Sequence, residues 1–152
     1  MEISAKTEYA VRAMLQLADA EQGTLVTTEA LAGAQALPRK FLESILGELR
    51  RAGLVVSTQG PRGGFFLARP AAEISVGDVF RAVDGPLAEV RGRRPQDTTY
   101  DGVAHHLPVL WVAVRSSLRQ VLDGTSLAQL GSGDLPGLVQ ELADVHDAWD
   151  NR

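Results

Sequence analysis

The sequence of 152 residues contains no cysteine. This absence excludes disulfide bonds, thiol catalysis, cysteine-ligated zinc and iron–sulfur clusters held by cysteine alone. Long apolar runs are also missing, because no stretch approaches the roughly 20 apolar residues of a membrane-spanning helix. The start of the chain, MEISAKTEYA, lacks the basic and apolar regions of a secretion signal. We therefore expect a soluble, cytoplasmic protein without a membrane partner.

Motifs of the common enzyme classes are absent as well. The sequence shows no P-loop, no dinucleotide fingerprint, no Gly-x-Ser-x-Gly elbow and no paired carboxylates in an evident cleft. We expect no enzymatic activity and no cofactor. The length and the 45% of hydrophobic residues suffice for one buried core.

The stretch from Leu37 to Arg69 reads as one helix followed by a two-stranded hairpin. Pro38 suits a first helical position, and Gly53 is a typical helix stop. Between them, apolar residues recur at helical spacing: Phe41, Leu42, Ile45, Leu46 and Leu49. Two short apolar runs follow, 54–56 and 65–67, separated by eight residues rich in glycine and proline. The pattern predicts a recognition helix and a wing.

Charge is distributed unevenly along the chain. The formal net charge is −4, yet residues 39–69 contain six basic and two acidic residues, a local balance of +4. Residues 1–69 have a balance of +1 and residues 70–152 one of −5. A basic stripe on an acidic protein can form a nucleic-acid footprint. A solvated helix face is the alternative interpretation of a cluster of this kind, and the neighbouring wing favours the footprint.

The residues before this stretch complete a helix-turn-helix. Ser4 can cap a first amphipathic helix that ends before Gly23, and Thr27 can cap a short second helix that stops near Gln35. A turn of three or four residues then leads into the recognition helix. In this arrangement the recognition helix, which is the second helix of the motif, enters the major groove N-terminus first. Arg39, Lys40 and Glu43 are then nearest to the DNA.

The second half of the chain predicts a helix, a long loop and two further helices. Ser75 and Asp78 form a capping-box-like start to a helix closed by Gly85. Periodicity disappears from 87 to 102, and a loop of this length is typical of function or disorder. One face of the next helix is apolar and is assigned to dimerisation: Leu107, Leu110, Trp111, Val114, Leu118 and Val121. Apolar residues between Pro136 and Trp149 predict a last helix over the dimer seam.

These elements define the expected architecture. The fold class is mainly α with a small β-hairpin wing, as a winged helix-turn-helix head plus a long dimerisation helix. We expect a DNA-binding domain over 1–86, a sensor-region loop over 87–104, and the dimerisation and C-terminal helices over 105–152.

The order of motifs resembles the IscR/NsrR-type bacterial transcriptional regulators, the Rrf-two family, which includes CymR-type repressors. The matching segments are KTEYAVRAMLQLA, FLESILGELRRAGLVVSTQGPRGGFFLAR, ISVGDVFRAVDG and LWVAVRSSLRQVLDGTSLAQL. The resemblance covers roughly residues 1–130. It implies a homodimer that binds a roughly palindromic double-stranded operator, most simply as a repressor.

The resemblance also implies which residues read DNA. Glu43 matches a glutamate that contacts a base edge in cluster-sensing relatives, as a carboxylate can accept from cytosine N4. An arginine often found before the Gly-Pro of the wing is Gln59 here, so Arg62 is expected to take the minor-groove role. The candidate DNA-binding residues are Thr28, Arg39, Lys40, Glu43, Arg50, Ser57, Gln59, Gly60, Arg62 and Gly63.

The sensor departs from the family pattern. Many relatives hold an iron–sulfur cluster with three cysteines, and the corresponding positions here are Arg93, Thr99 and His105. Glu8 matches an acidic fourth ligand of some relatives. We therefore expect a signal other than an iron–sulfur cluster, namely a small molecule or partner protein bound near Glu8, Tyr9, Arg93, Thr99 and His105.

Two alternatives remain open from the sequence. A metal site formed by Glu8, His105 and His106 is one, although two adjacent histidines are weak support for it. A winged-helix module that binds protein instead of DNA is the other, and the basic recognition helix argues against it.

Overall fold

The computed structural model describes residues 2–150, so Met1, Asn151 and Arg152 at the ends of the expected domains lie outside the described residues. The helices are α1 (Ala5–Asp19), α2 (Thr28–Gln35), α3 (Arg39–Arg51), α4 (Val76–Asp84), α5 (Leu107–Leu122), α6 (Leu127–Ser132) and α7 (Gly137–Ala143). The strands are β1 (Val55–Thr58) and β2 (Gly64–Leu67). The mainly helical fold class with a β-hairpin wing is confirmed.

Helix starts follow the capping chemistry of the sequence. The Ser4 side chain accepts from the Thr7 amide and that of Thr27 from the Ala30 amide, so both predicted caps are confirmed. Ser75 and Asp78 form the reciprocal capping box of α4. Pro38 is the N-cap of α3, one residue before the first helical position predicted for it. Its extended backbone, with ψ of 117°, keeps it outside the first turn.

The core lies where α1, α2, α3 and α4 pack together with the base of the wing. Its fully buried members include Met14, Leu31, Leu42, Ile45, Leu46, Leu49, Ile74, Val79 and Leu127. The turn between α2 and α3 is held by Ala36 in the left-handed region, with φ of 52°. Leu37 beside it is buried, so the turn is fixed to the core on its inner side.

The wing is an antiparallel hairpin in which Val55 pairs with Leu67 and Thr58 with Gly64. Val26 adds a third segment by exchanging two backbone hydrogen bonds with Phe65, at 2.9 and 2.8 Å. A Cβ on Gly64 would lie 2.7 Å from the Val26 carbonyl oxygen. The glycine at this position is therefore required by the close approach of the Val26 segment.

The second half differs from the sequence prediction in two helices. Helix α6 is absent from that prediction, although Ser126 and Gln129 give it a full capping box. The last helix is shorter than predicted, because α7 ends at Ala143, with Asp144 as its C-cap, and leaves Val145 and Trp149 beyond it. The loop after α4 contains two 3-10 turns, Pro95–Asp97 and Gly102–Ala104, and the first packs on α5. Between residues 2 and 150, no helix has the length and apolarity to span a membrane.

The Asp78 carboxylate gives the fold a dependence on pH. Burial raises its pKa, but hydrogen bonds from Ser75 and Arg81 and the Arg81 charge outweigh burial and leave the pKa below 3.8. A carboxylate whose pKa is lower in the folded chain contributes stability above its unfolded pKa, and loses it as the pH falls through the folded value.

We predict that Asp78→Asn lowers the free energy of unfolding at pH 7 by about 0.5–1 kcal/mol, since the partly exposed charge is screened. The difference from the unmodified chain should shrink below about pH 4. Urea denaturation at several pH values measures it. Asp134→Asn, in an exposed loop, is the control and should show no such difference. A constant difference down to pH 2 would contradict the prediction.

Candidate nucleic-acid interface and sensor region

Helix α3 has one buried and one exposed face because its apolar residues recur at helical spacing. Leu42, Ile45, Leu46 and Leu49 are at most 1% exposed and fix the helix to the core. The opposite face therefore points its basic residues outward. Arg39 and Glu43 form an ion pair with Nε and Oε1 3.3 Å apart, and their side chains are 63% and 53% exposed. Both groups can exchange this weak pair for contacts to a partner.

The structure places each predicted DNA-binding residue in α2, α3 or the wing. Arg39, Lys40, Glu43, Arg50, Gln59, Gly60 and Arg62 are exposed, whereas Thr28, Ser57 and Gly63 are partly buried. Arg50 Nη1 donates to Ser57 Oγ at 3.2 Å, so the end of α3 is joined to β1. Within residues 2–150, Lys40 and Arg62 make no ion pair. Their charges remain available to phosphate oxygens.

The glycines of the wing tip shape the position of Arg62. The Gly63 amide donates to the Gly60 carbonyl at 2.9 Å and closes a tight turn around Pro61 and Arg62. Gly60 has φ of 103°, and a Cβ on Gly63 would overlap the Thr58 carbonyl. Glycine at positions 60 and 63 is therefore a geometric requirement of a tip that holds Arg62 in solvent.

Lys6 braces the recognition helix from behind, a role that the sequence did not reveal. Its Nζ lies 2.7 Å from Glu48 Oε2 on α3 and donates to the Val83 carbonyl on α4 at 2.8 Å. On the same turn of α1, Ser4 donates to Asp84 at 2.8 Å, and the buried Thr7 hydroxyl donates to the same carboxylate oxygen. These contacts join residues more than 40 positions apart, and no local sequence pattern signals them.

The predicted dimerisation face is open in one chain. No residue of α5 is fully buried, and Leu110 and Val114 are 52% and 40% exposed. Together with Ile3, Phe80 and Leu142, this face lines an apolar groove of about 740 Å³. Of the predicted residues, Leu110, Val114, Leu118 and Val121 line the groove, while Leu107 and Trp111 are partly buried outside it.

The predicted effector residues fall into two groups. On α1, Glu8 pairs with Arg12 at 3.2 Å, and the Tyr9 ring packs edge-on against Phe41 with centroids 5.6 Å apart. The second group, Arg93, Thr99 and His105, belongs to the loop region. There Trp111 Nε1 on α5 donates to the Tyr100 hydroxyl beside Thr99 at 3.3 Å. The aromatic rings at this predicted effector region therefore already have partners within the chain.

The three residues that match the cluster cysteines of relatives, Arg93, Thr99 and His105, lie in or beside the loop that packs on α5. Arg93 and Thr99 are exposed, and the His105 ring contacts His106 with centroids 5.1 Å apart. In the part of the chain from 2 to 150, no three His, Cys, Asp or Glu side chains form a group able to hold a metal. The alternative site of Glu8, His105 and His106 is therefore not assembled within a single chain.

Comparisons with known proteins agree with this geometry. The profile of the Rrf2 family, described as an iron-dependent transcriptional regulator, matches residues 3–132. A protein of Mycobacterium tuberculosis (strain H37Rv), provisionally named an HTH-type transcriptional regulator, is 50% identical over 151 residues, covering 99% of this chain and 94% of that protein.

Two solved structures show the same fold. The structure of CymR, the global cysteine regulator of B. subtilis, superposes with a TM-score of 0.73 at 30% identity, covering 88% of this chain and 98% of that one. IscR of T. potens superposes with a TM-score of 0.68 at 30% identity, covering 92% and 96%.

The fold and the exposed basic helix and wing define a winged helix-turn-helix, DNA-binding regulator of transcription, and not an enzyme. The profile match spans most of the chain. The chain belongs to the Rrf2 family of transcriptional regulators, which confirms the resemblance found from the sequence motifs.

The iron in the family description does not fit the residues of this chain. Thiolates are the ligands that hold iron–sulfur clusters in proteins, and the sequence contains no cysteine. Arg93, Thr99 and His105 stand at the positions that the sequence resemblance assigns to the three cluster cysteines. Of these side chains only the imidazole is a ligand for iron, so a cluster of the usual kind has no donor set here.

We predict that Lys6→Met lowers the free energy of unfolding by about 1–2 kcal/mol, because Glu48 and the Val83 carbonyl are deprived of a charged donor. Glu48→Gln in the same chain should add less than its separate effect, with a coupling of about 0.5–1 kcal/mol. Urea denaturation of the double-mutant cycle measures this coupling.

The matched control is the ion pair of Arg94 and Asp97, which is 2.6 Å long but more exposed. Arg94→Met and Asp97→Asn should combine additively, because exposed pairs contribute little. Equal couplings in the two cycles would show that Lys6 has no special bracing role.

Proposed function

We propose that this protein is a homodimeric, sequence-specific repressor that occupies a roughly palindromic operator and leaves it in response to a signal other than an iron–sulfur cluster. The observation that supports DNA readout most strongly is the exposed polar face of α3 beside the wing. The stretch 39–69 has a balance of +4 on a chain of −4. Basic groups gathered on the reading surface bind phosphates, and the acidic remainder faces away from them.

The proposal includes two kinds of contact. Arg39 and Lys40, at the N-terminal end of α3, bind phosphates or guanine, and Arg62 at the wing tip enters the adjacent minor groove. Glu43 lies one turn further along the same face and pairs with Arg39 in the free protein. In the complex the carboxylate accepts from a base edge, and its former partner turns to the DNA backbone.

The open face of α5 supports the homodimer. Leu110 is 52% exposed and Val109 is 70% exposed, and an apolar groove runs alongside the helix. Apolar surface of this extent on a water-exposed helix indicates a protein interface. A second copy offers the same face, and two-fold symmetry buries both at once. The dimer places its two recognition helices about one DNA turn apart, roughly 34 Å, or a multiple of that distance.

The contacts of α1 support a signal that acts on the helix-turn-helix. Arg12 pairs with Glu8, lies 5.9 Å from the centre of the Tyr9 ring and donates to the Gln35 carbonyl at the end of α2. A small molecule or partner protein that engages Glu8 or Tyr9 therefore acts on the group that holds the α2–α3 turn. To release DNA it must prefer one arrangement of the heads, since equal affinity for both shifts nothing. A regulator of bacterial genes of this kind works in the cytoplasm.

We predict that Arg39→Gln, Lys40→Gln and Arg62→Gln weaken DNA binding and flatten its dependence on salt. Removing one phosphate contact should reduce the slope of log K against log salt by about 0.9. Fluorescence anisotropy on duplexes selected by the unmodified protein from a random pool measures the slope. Arg119→Gln, on the exposed side of α5, is the control and should keep the original slope.

Glu43→Ala in the same assay separates base readout from phosphate binding. It should change the preference at one base pair by about 1–3 kcal/mol while the salt slope stays constant. If the four bases at each position kept their ranking, Glu43 would have no part in readout.

We predict that the unmodified 16.3 kDa chain sediments at twice that mass at micromolar concentration, and that Leu110→Glu reduces the mass to one chain. A buried carboxylate without a partner is strongly unfavourable, so the interface should not tolerate it. Gln120→Glu adds the same charge to an exposed position of α5 outside the groove and should leave the dimer intact. A dimer that persists with Leu110→Glu would place the interface elsewhere.

A further inference from the structure

The end of α5 is fixed to the head by a compact set of contacts, which we name the α4–α5 joint and define as Gly77, Asp78, Arg81 and Asp123. Backbone hydrogen bonds secure the segments on either side of it. The Val76 amide donates to the Thr125 carbonyl at 2.9 Å, and the Leu127 amide donates to the Ile74 carbonyl at 2.9 Å. The side chains of Ile74 and Leu127 are fully buried. The residues that follow α5 are therefore part of the head.

The joint itself sets the direction in which α5 leaves the head. Arg81 Nη1 lies 2.8 Å from Asp123 Oδ1, and its Nη2 lies 3.1 Å from Asp78 Oδ1. A Cβ on Gly77 would overlap the Asp123 carboxylate and lie 3.2 Å from the Asp123 backbone nitrogen. A side chain at residue 77 would therefore displace the Asp123 carboxylate and press on the backbone at the end of α5.

Stability alone does not account for this arrangement. The Arg81 and Asp123 side chains are each 38% exposed, and ion pairs at that exposure contribute little to the free energy of folding. A guanidinium that bridges two carboxylates does, however, fix direction. Arg69, which follows the wing, lies 3.7 Å from Asp78 and connects the same cluster to the base of the hairpin.

The rest of α5 packs on the 3-10 turn Pro95–Asp97 and leaves its apolar face open. No residue of the helix is fully buried. Its 16 residues span about 24 Å at 1.5 Å per residue. A tilt of roughly 8° at the joint displaces the far end by about 3.4 Å, the rise of one base pair. In the proposed dimer held together through α5, a small tilt at the joint is therefore enough to move a head by about the rise of one base pair.

We propose that the α4–α5 joint determines the spacing between operator half-sites that this protein recognises, while α3 and the wing determine the half-site sequence. This inference rests on the proposed homodimeric DNA-binding function. It makes Gly77, Arg81 and Asp123 specificity-determining residues that act by positioning the heads and do not touch the DNA.

Selection from a random pool of DNA duplexes tests the inference with the full-length chain. The unmodified protein, Gly77→Ala, Asp123→Ala and the double variant are each used to enrich duplexes, and both the half-site and the spacer are read by sequencing. Gly33→Ala is the matched control, since it places the same methyl group on a helix with nothing within 4 Å. Thermal unfolding and sedimentation verify that every variant is a folded dimer.

We expect Gly77→Ala and Asp123→Ala to select the original half-site with a spacer that is shifted by at least one base pair or broadened. Because Gly77→Ala acts through the Asp123 carboxylate, the double variant should resemble Asp123→Ala alone. Two further variants are selected in the same way. Arg81→Gln should lose the preference for the original spacer, and Arg81→Lys, which keeps the charge, should retain part of that preference.

Three results would overturn the inference in different ways. If folded variants selected the original spacer, the joint would not control spacing, although the proposed function would stand. If they selected a different half-site, the joint would act on α3 and not on head separation. If the unmodified protein enriched no two-fold motif, the proposed function would fail and this inference with it.

Discussion

The buried face of α3 is the constraint on which the head depends. Four apolar side chains lock that helix into the core, and they are Leu42, Ile45, Leu46 and Leu49. Because the helix cannot rotate, its polar face has only one direction available. The same core fixes the turn before the helix through Leu37 and the strand after it through Leu54. The position and orientation of the basic groups on α3 therefore follow from apolar packing. The charge of these groups determines only which partner they bind.

Helix α5 differs from α3 in that its apolar face is not buried by its own chain. The burial of apolar surface that orders the head is therefore incomplete at this helix. In the proposed dimer, the chain has one rigid reading surface and one surface that a second copy completes. The two meet at a small polar joint, where direction depends on Arg81 and Asp123 and on the bare backbone of Gly77. Our proposals thus assign sequence readout and spacing to separate parts of the chain.

Much of this fold follows from local rules in the sequence. Helical periodicity and side-chain caps predict α1 to α5, and the glycine-rich turn predicts the wing. Helix α6 escapes prediction because its six residues are too short for a periodic signal, although Ser126 and Gln129 cap it. The brace at Lys6 and the joint at Asp123 could not be predicted, since their partners Glu48 and Arg81 are remote in sequence. Such pairs are determined by tertiary packing and have no local pattern.

The loop before α5 is held by contacts within the chain, which contains no cysteine. Three thiolates would close this loop around a cluster, and here it is closed by protein contacts. Pro95 is buried against the rest of the chain, and Tyr100 accepts from the Trp111 indole. In the proposed regulator, a signal molecule can release DNA only if it binds one arrangement of the heads more tightly than the other, because only a difference in affinity shifts the equilibrium between them.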